Sequence, residues 1–184
     1  MVLVRGKVRI IGGQWRSRLL TFPAIPDLRP TPDRIRETVF NWLGQDLTGL
    51  NCLDLFAGSG ALGFEAASRG ASQVVMVDAD TKIYKALHET KEKLQAMQVE
   101  LKMMNALNFL NSDVRKFDVI FLDPPYRLEL LPKLLPLLPS HLEKGGLVYT
   151  ETKSPWTADK HWCAKHSAKA GAVSYQLLEL ALNG

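Results

Sequence analysis

The chain has 184 residues, 46% of them hydrophobic and 23% charged, ordinary values for one globular domain able to bury a sizeable core. No apolar run approaches the roughly 20 residues of a membrane span, the opening residues 1–7 lack a signal peptide's apolar segment, and Cys52 and Cys163 are too far apart for a CxxC metal site or a disulfide framework; a cytoplasmic protein without a metal is expected. The net charge of +4 is uneven: residues 1–36 carry eight basic side chains against two acids, for +6, while the remainder nets −2.

Val8 to Ile11 and Arg18 to Phe22, either side of Gly12-Gly13-Gln14-Trp15, predict a β-hairpin with a glycine turn. A loop with Pro23, Pro26 and Pro30 follows. Thr31-Pro32 predicts a helix N-cap with proline at the first helical position. Ile35, Val39, Trp42 and Leu43 then recur at helical spacing up to Gly44. The basic residues of this part are mostly arginines, which bind phosphate bidentately and stack on bases. They predict a polyanion partner or a solvated basic face, and charge alone does not choose between them. Trp15, at the hairpin tip beside Arg16 and Arg18, fits packing or base stacking.

From residue 51 the pattern changes. Short apolar runs at 51–56, 73–78, 99–104, 117–122 and 146–152 predict strands. Between them lie helices over about 60–69 and 80–97, a short helix, and a leucine-rich helix after residue 126. A pair of extended segments closes the chain, most clearly 173–182. This alternation predicts an α/β fold with a mostly parallel sheet and helices on both faces. Two parts are expected: a basic hairpin and loop over residues 1–30, and the α/β domain over 31–184. Ligands of such sheets bind outside the carboxyl ends of the strands, and Asp54 to Gly60, Asp78, Asn105 and Asp123 all fall at predicted strand ends. The four histidines, His88, His141, His161 and His166, show no metal spacing and are expected at the surface.

Gly58, Gly60 and Gly63 form a G-x-G-x-x-G, which alone would also fit a dinucleotide. Asp54, just ahead of the glycines, argues for S-adenosylmethionine instead, because a carboxylate there repels a pyrophosphate but suits a cationic, zwitterionic ligand. Asp78, ending the next strand, would hold ribose hydroxyls in either case.

Asp123-Pro124-Pro125-Tyr126 follows the apolar strand 117–122. Two prolines give a stiff segment with free carbonyls. An acid and a ring held by it suit a planar exocyclic amine: Asp123 and a proline carbonyl accept its N–H bonds, and Tyr126 lies on the base. Hydride transfer has no evident use for such a loop.

These elements, with Arg9-Ile10-Ile11-Gly12-Gly13-Gln14-Trp15-Arg16, Leu28-Arg29-Pro30-Thr31 and Asp33-Arg34-Ile35-Arg36-Glu37-Thr38, resemble the RsmD family of bacterial rRNA methyltransferases over nearly the whole chain. The resemblance implies a Rossmann-like class I methyltransferase with a small basic N-terminal appendage. It implies methyl transfer from S-adenosylmethionine to the exocyclic N2 of a guanine in 16S rRNA, within an assembling small ribosomal subunit. A monomer is expected. The catalytic residues expected on this basis are Asp123, Pro124 and Tyr126. Expected at the cofactor are Asp54, Phe56, Ala57, Gly58, Gly60, Asp78, Asn105 and Ala106, with Thr31 and Arg34 toward its methionine end. Arg9, Arg16, Arg18, Arg29 and Arg36 are expected to contact RNA. The same grip on an amine would serve an adenine-N6 or cytosine-N4 DNA methyltransferase, and the basic face would serve a non-catalytic RNA-binding assembly factor.

Overall fold

The computed structural model describes residues 5–125, 129–154 and 160–181. Strands β1 (Arg5–Arg9) and β2 (Leu19–Pro23) pair antiparallel as the N-terminal hairpin, followed by helix α1 (Asp33–Leu43). The remainder alternates as β3 (Asn51–Asp54), α2 (Ala61–Ser68), β4 (Gln73–Asp78), α3 (Thr81–Leu94), β5 (Val99–Met103), α4 (Ala106–Ser112) and β6 (Phe117–Leu122). Then come a single turn α5 (Leu131–Leu134), a 3-10 helix over Leu135–His141, and strands β7 (Leu142–Thr152), β8 (Trp162–Ala170) and β9 (Val173–Leu180).

The seven-stranded sheet has the order β5-β4-β3-β6-β7-β9-β8. Pairs from β5 through β7 are parallel, and β9 joins β7 and β8 antiparallel. The switch in strand order falls between β3 and β6, so the loops leaving these two strands open the crevice where ligands of doubly wound sheets bind.

The central strands are apolar on both sides because both faces are covered. Cys52, Val74, Met76, Val119 and Phe121 pack on one face with residues of α1, α2 and α3. Leu53, Val75, Val77, Ile120 and Leu122 pack on the other with α4 and the Leu134–Leu138 turns. The hairpin forms its own two-stranded sheet, yet Val8, Ile10, Leu20 and Phe22 join the first of these clusters. Among the described residues no helix is long and apolar enough to cross a membrane.

Two expectations are corrected here. The leucine-rich helix is one α-turn followed by a 3-10 segment, since Pro132, Pro136 and Pro139 withhold the N–H groups an α-helix needs. His141 is not at the surface: it is 4% exposed, with Nδ1 3.1 Å from the Arg115 carbonyl and Nε2 2.8 Å from that of Leu110.

Candidate active site at the carboxyl edge of the sheet

The glycine loop joins β3 to α2. Gly58 and Gly60 have φ of +52° and +80°, the left-handed region glycine enters without strain. Gly63 serves packing instead. A Cβ there would lie 2.7 Å from Met76 Cε, so its absence lets α2 settle on β4. Asp54, 2% exposed, ties the loop together by accepting the Gly63 N–H at 3.0 Å. Burial pushes the Asp54 carboxyl up to about 7, with nearby Asp78 acting the same way and the Gly63 N–H opposing.

Asp78 ends β4 and accepts the Gly58 N–H through Oδ2 (3.0 Å) and the Asp80 N–H through Oδ1 (2.9 Å). Burial raises it as well, against those amides. Each oxygen of a carboxylate has two lone pairs, so ribose hydroxyls can still donate to it. Asn105 caps α4 by accepting the Asn108 N–H at 2.8 Å, and Ala106 beside it is buried. The β3 and β6 ends are joined where the Leu55 N–H meets the Phe121 carbonyl at 3.2 Å. Asp54, Asp78, Asn105 and Asp123 therefore do share one edge of the sheet.

The loop between hairpin and α1 comes to the same place. A Cβ on Gly58 would lie 2.9 Å from Leu28 Cδ1, so Leu28 covers the glycine loop. Thr31 is buried at 6% exposure, and Arg34 is exposed on α1.

Asp123 leaves β6 followed by buried Pro124 and exposed Pro125; Tyr126 lies outside the described residues. Burial, then the charges of Glu151 and Asp54, hold the Asp123 carboxyl well above the usual carboxylate range. Glu151, near the end of β7 and 6% exposed, is absent from the residues expected at the site. Its Oε1 accepts the Tyr149 hydroxyl at 2.6 Å. A signal for it exists in the sequence, since Glu151 is an acid closing an apolar strand just as Asp54, Asp78 and Asp123 are.

Arg9, Arg16, Arg18 and Arg29 are exposed. Arg36 is not, and its expected contact with RNA is corrected: the side chain is 0% exposed. Its guanidinium donates to Glu65 Oε2 (3.0 Å), the Arg9 carbonyl (2.8 Å), Asp33 Oδ1 (2.6 Å) and the Thr31 carbonyl (3.0 Å). Glu65 in turn accepts the Ile11 and Gly12 N–H groups and Arg69 Nε. Gly13 presses on α2, where a Cβ would fall 1.9 Å from the Ser68 carbonyl, and Gln14 N–H donates to that carbonyl at 2.8 Å. Trp15 is partly buried against the core, with its backbone N–H on Ser68 Oγ. The Arg-x-x-Gly-Gly-x-Trp and Arg-Glu-Thr motifs thus fasten the hairpin turn to α2, whose amino end leaves the glycine loop.

The donor set fits a cationic nucleoside cofactor. Acids stand at the ends of β3 and β4, and the bare backbone of Gly58 and Gly60 permits close approach. Among the described residues no group of His, Cys, Asp and Glu has metal-binding geometry.

A family model described as conserved hypothetical protein 95 matches residues 8–179. Ribosomal RNA small subunit methyltransferase D of Escherichia coli K12 is 39% identical over 97% of this chain and 93% of its own length. The protein of the same name from Haemophilus influenzae is 38% identical over 95% of each. Among solved structures, yhhF from Escherichia coli is 39% identical with a TM-score of 0.83, covering 94% of this chain and 97% of that one. An RNA methyltransferase from Salinibacter ruber in complex with S-adenosyl-L-homocysteine, 20% identical, shares the fold with a TM-score of 0.64 over 81% of this chain and 92% of its own.

Proposed function

The chain belongs to the RsmD family, described as conserved hypothetical protein 95, and we propose that it methylates the exocyclic N2 of a guanine in 16S rRNA. It is a methyltransferase using S-adenosylmethionine, and rRNA is the substrate its relatives are named for. The observation that supports an exocyclic-amine target is the Asp123-Pro124-Pro125 segment set on β6 beside the glycine loop of β3, and guanine as the base follows from membership of the family. The reaction takes place in the cytoplasm, on an assembling small subunit, with the enzyme as a monomer.

Phe56, Ala57, Gly58 and Gly60 offer backbone to the cofactor, Asp78 its ribose contact, Asn105 and Ala106 the adenine end, and Thr31 and Arg34 the methionine end. Asp54 orders the loop among them. Bound S-adenosylmethionine supplies an electrophilic sulfonium methyl, so no enzyme nucleophile is required. What the protein contributes is alignment. Asp123 and the Pro124 carbonyl accept the two N–H bonds of the amine, turning the nitrogen lone pair toward the methyl and favouring the positive charge that builds on it. Tyr126 stacks on the base, a contact of about 1–3 kcal/mol in single-stranded recognition. To reach this pocket the guanine leaves its stack. Arg9, Arg16, Arg18 and Arg29 hold the surrounding phosphates.

The test is transfer from methyl-labelled cofactor to 16S rRNA, small subunits and duplex DNA in parallel, with nucleoside analysis. N2-methylguanosine in rRNA or subunits supports the reading. Label in DNA, or in another nucleoside, overturns it.

A further inference from the structure

Two acids stand side by side at the amine pocket. The register of β6 on β7 sets Phe121 opposite Tyr149 and Leu122 opposite Thr150. One residue further, Asp123 leaves β6 beside Glu151. Side chains alternate between faces, so Asp123 continues the face of Phe121, and Glu151 that of Tyr149. Phe121 and Tyr149 do share a face, with ring centroids 6.3 Å apart. Neighbouring strands lie about 4.8 Å apart, which sets the two carboxylates as adjacent acceptors. Tyr149 fixes the aim of Glu151 through the 2.6 Å hydrogen bond to Oε1, and Tyr175 of β9 is its register partner on the other side.

Adjacent carboxylates in a partly buried site favour a ligand that presents donors to both of them. The charges acting on Asp123 are themselves acids, Glu151 and Asp54. A ligand edge bearing two adjacent N–H groups answers this arrangement, and nucleobases differ in just this respect. The Watson–Crick edge of guanine places N1–H next to the N2 amino group. Adenine and cytosine place a ring-nitrogen lone pair next to theirs, and that lone pair would face a carboxylate.

We propose that Glu151 is a specificity-determining residue, whose carboxylate accepts the N1–H of the target guanine while Asp123 holds the N2 amino group. This rests on the reading that a guanine amine receives the methyl. Sites that hydrogen-bond a substrate group discriminate strongly against analogues lacking it, because their own polar atoms are left unpaired.

The experiment replaces the methylated guanine, once located by product analysis, with 2,6-diaminopurine, which keeps the N2 amine but has a lone pair at N1. Reconstituted small subunits of both kinds are offered to the native enzyme, to Glu151→Gln and to Tyr149→Phe, counting only N2 product. The native enzyme should prefer guanine by about 100-fold or more in kcat/KM. Glu151→Gln should narrow that ratio at least tenfold, because a Gln amide can turn its NH2 toward the lone pair. Calorimetric affinity for S-adenosylmethionine alone and the melting temperature should stay as in the native protein. If Glu151→Gln does not fold, Tyr149→Phe decides: with the carboxylate released from its anchor, the ratio should narrow several-fold. A native ratio within threefold of unity overturns the proposal, as does one the folded variants leave unchanged. Methyl found on an adenine or cytosine amine removes the guanine reading itself; methyl on guanine with a flat ratio removes only the role of Glu151.

Discussion

Arg36 Nη1 meets Glu65 Oε2 at 3.0 Å, and both side chains are 0% exposed. The pair joins α1 to α2, and through the Ile11 and Gly12 amides it also holds the hairpin turn. Removing one partner of a buried pair leaves the other charged and unsatisfied, at a cost of about 3–5 kcal/mol. Arg36→Ala and Glu65→Ala should each lose about that much in denaturant unfolding. Arg36→Lys should recover little, since one ammonium cannot reach four acceptors held by a planar fork. A loss below about 1 kcal/mol for Arg36→Ala would show that Arg36 is not the clamp described.

Asp54 gives the cofactor-free protein a pH dependence of definite sign. Burial lifts its carboxyl from an ordinary 3.8 to about 7 in the folded state. Between these values the folded protein holds a proton that the unfolded chain has released, so stability falls as pH rises. The contribution is complete below about pH 4 and gone above about pH 7. The upward push on Asp78 acts in the same sense. Unfolding free energies measured from pH 4 to 8 should decline across this window, and Asp54→Asn should flatten the decline. Equal slopes in the two proteins would rule out Asp54 as its source.

Gly60 and Gly44 both have positive φ, +80° and +100°, but only Gly60 is crowded. A Cβ at Gly60 would fall 2.6 Å from Phe64 Cδ2, whereas nothing lies within 4 Å at Gly44. Gly44→Ala should cost only the backbone strain, about 1–2 kcal/mol. Gly60→Ala should cost more, and it should also weaken S-adenosylmethionine binding at least tenfold by calorimetry. Equal stability losses with unaltered cofactor affinity in Gly60→Ala would contradict a tightly fitted loop.

Strand bounds were legible for the fully buried central runs, β4 and β6 having the bounds expected, 73–78 and 117–122, whereas β1 and β7 begin three and four residues earlier than the apolar runs at 8–11 and 146–152. Alternation of strands with helices gave the α/β class for the same reason, since strands covered on both faces need no polar side. Proline made the leucine-rich segment harder to read, because its spacing suits a helix while its missing N–H groups break one. The charge count near the N-terminus could not separate Arg36 from its exposed neighbours. Its partner Glu65 lies 29 residues away, and only the packed fold brings them together. Glu151 carried the same strand-end signature as Asp123 but sat in β7, where no motif drew attention to it.

The proposed mechanism sets Asp123 on the amine rather than on the cofactor. Asp123→Ala should lower kcat by about 10²–10³, the range for loss of one preorganised group at a developing charge. Affinity for S-adenosylmethionine should change less than threefold. Loss of cofactor binding in step with activity would move Asp123 from the amine to the cofactor loop.

Arg16 and Arg18 lie in the connection between β1 and β2 and are exposed, in contrast to Arg36. If each neutralises one phosphate of a single-stranded region, removing both should reduce the slope of log affinity against log salt by about 1.4, at roughly 0.7 per contact. The same double variant, Arg16→Ala with Arg18→Ala, should melt within a degree or two of the native protein, since surface changes of this kind shift stability little. Arg36→Ala should show the reverse: a lowered melting temperature with the salt slope of its folded fraction unchanged. Binding of small-subunit rRNA by filter assay across a salt series, beside thermal unfolding, measures both quantities. A salt slope unaltered by the double variant would place the phosphate contacts elsewhere on the basic face.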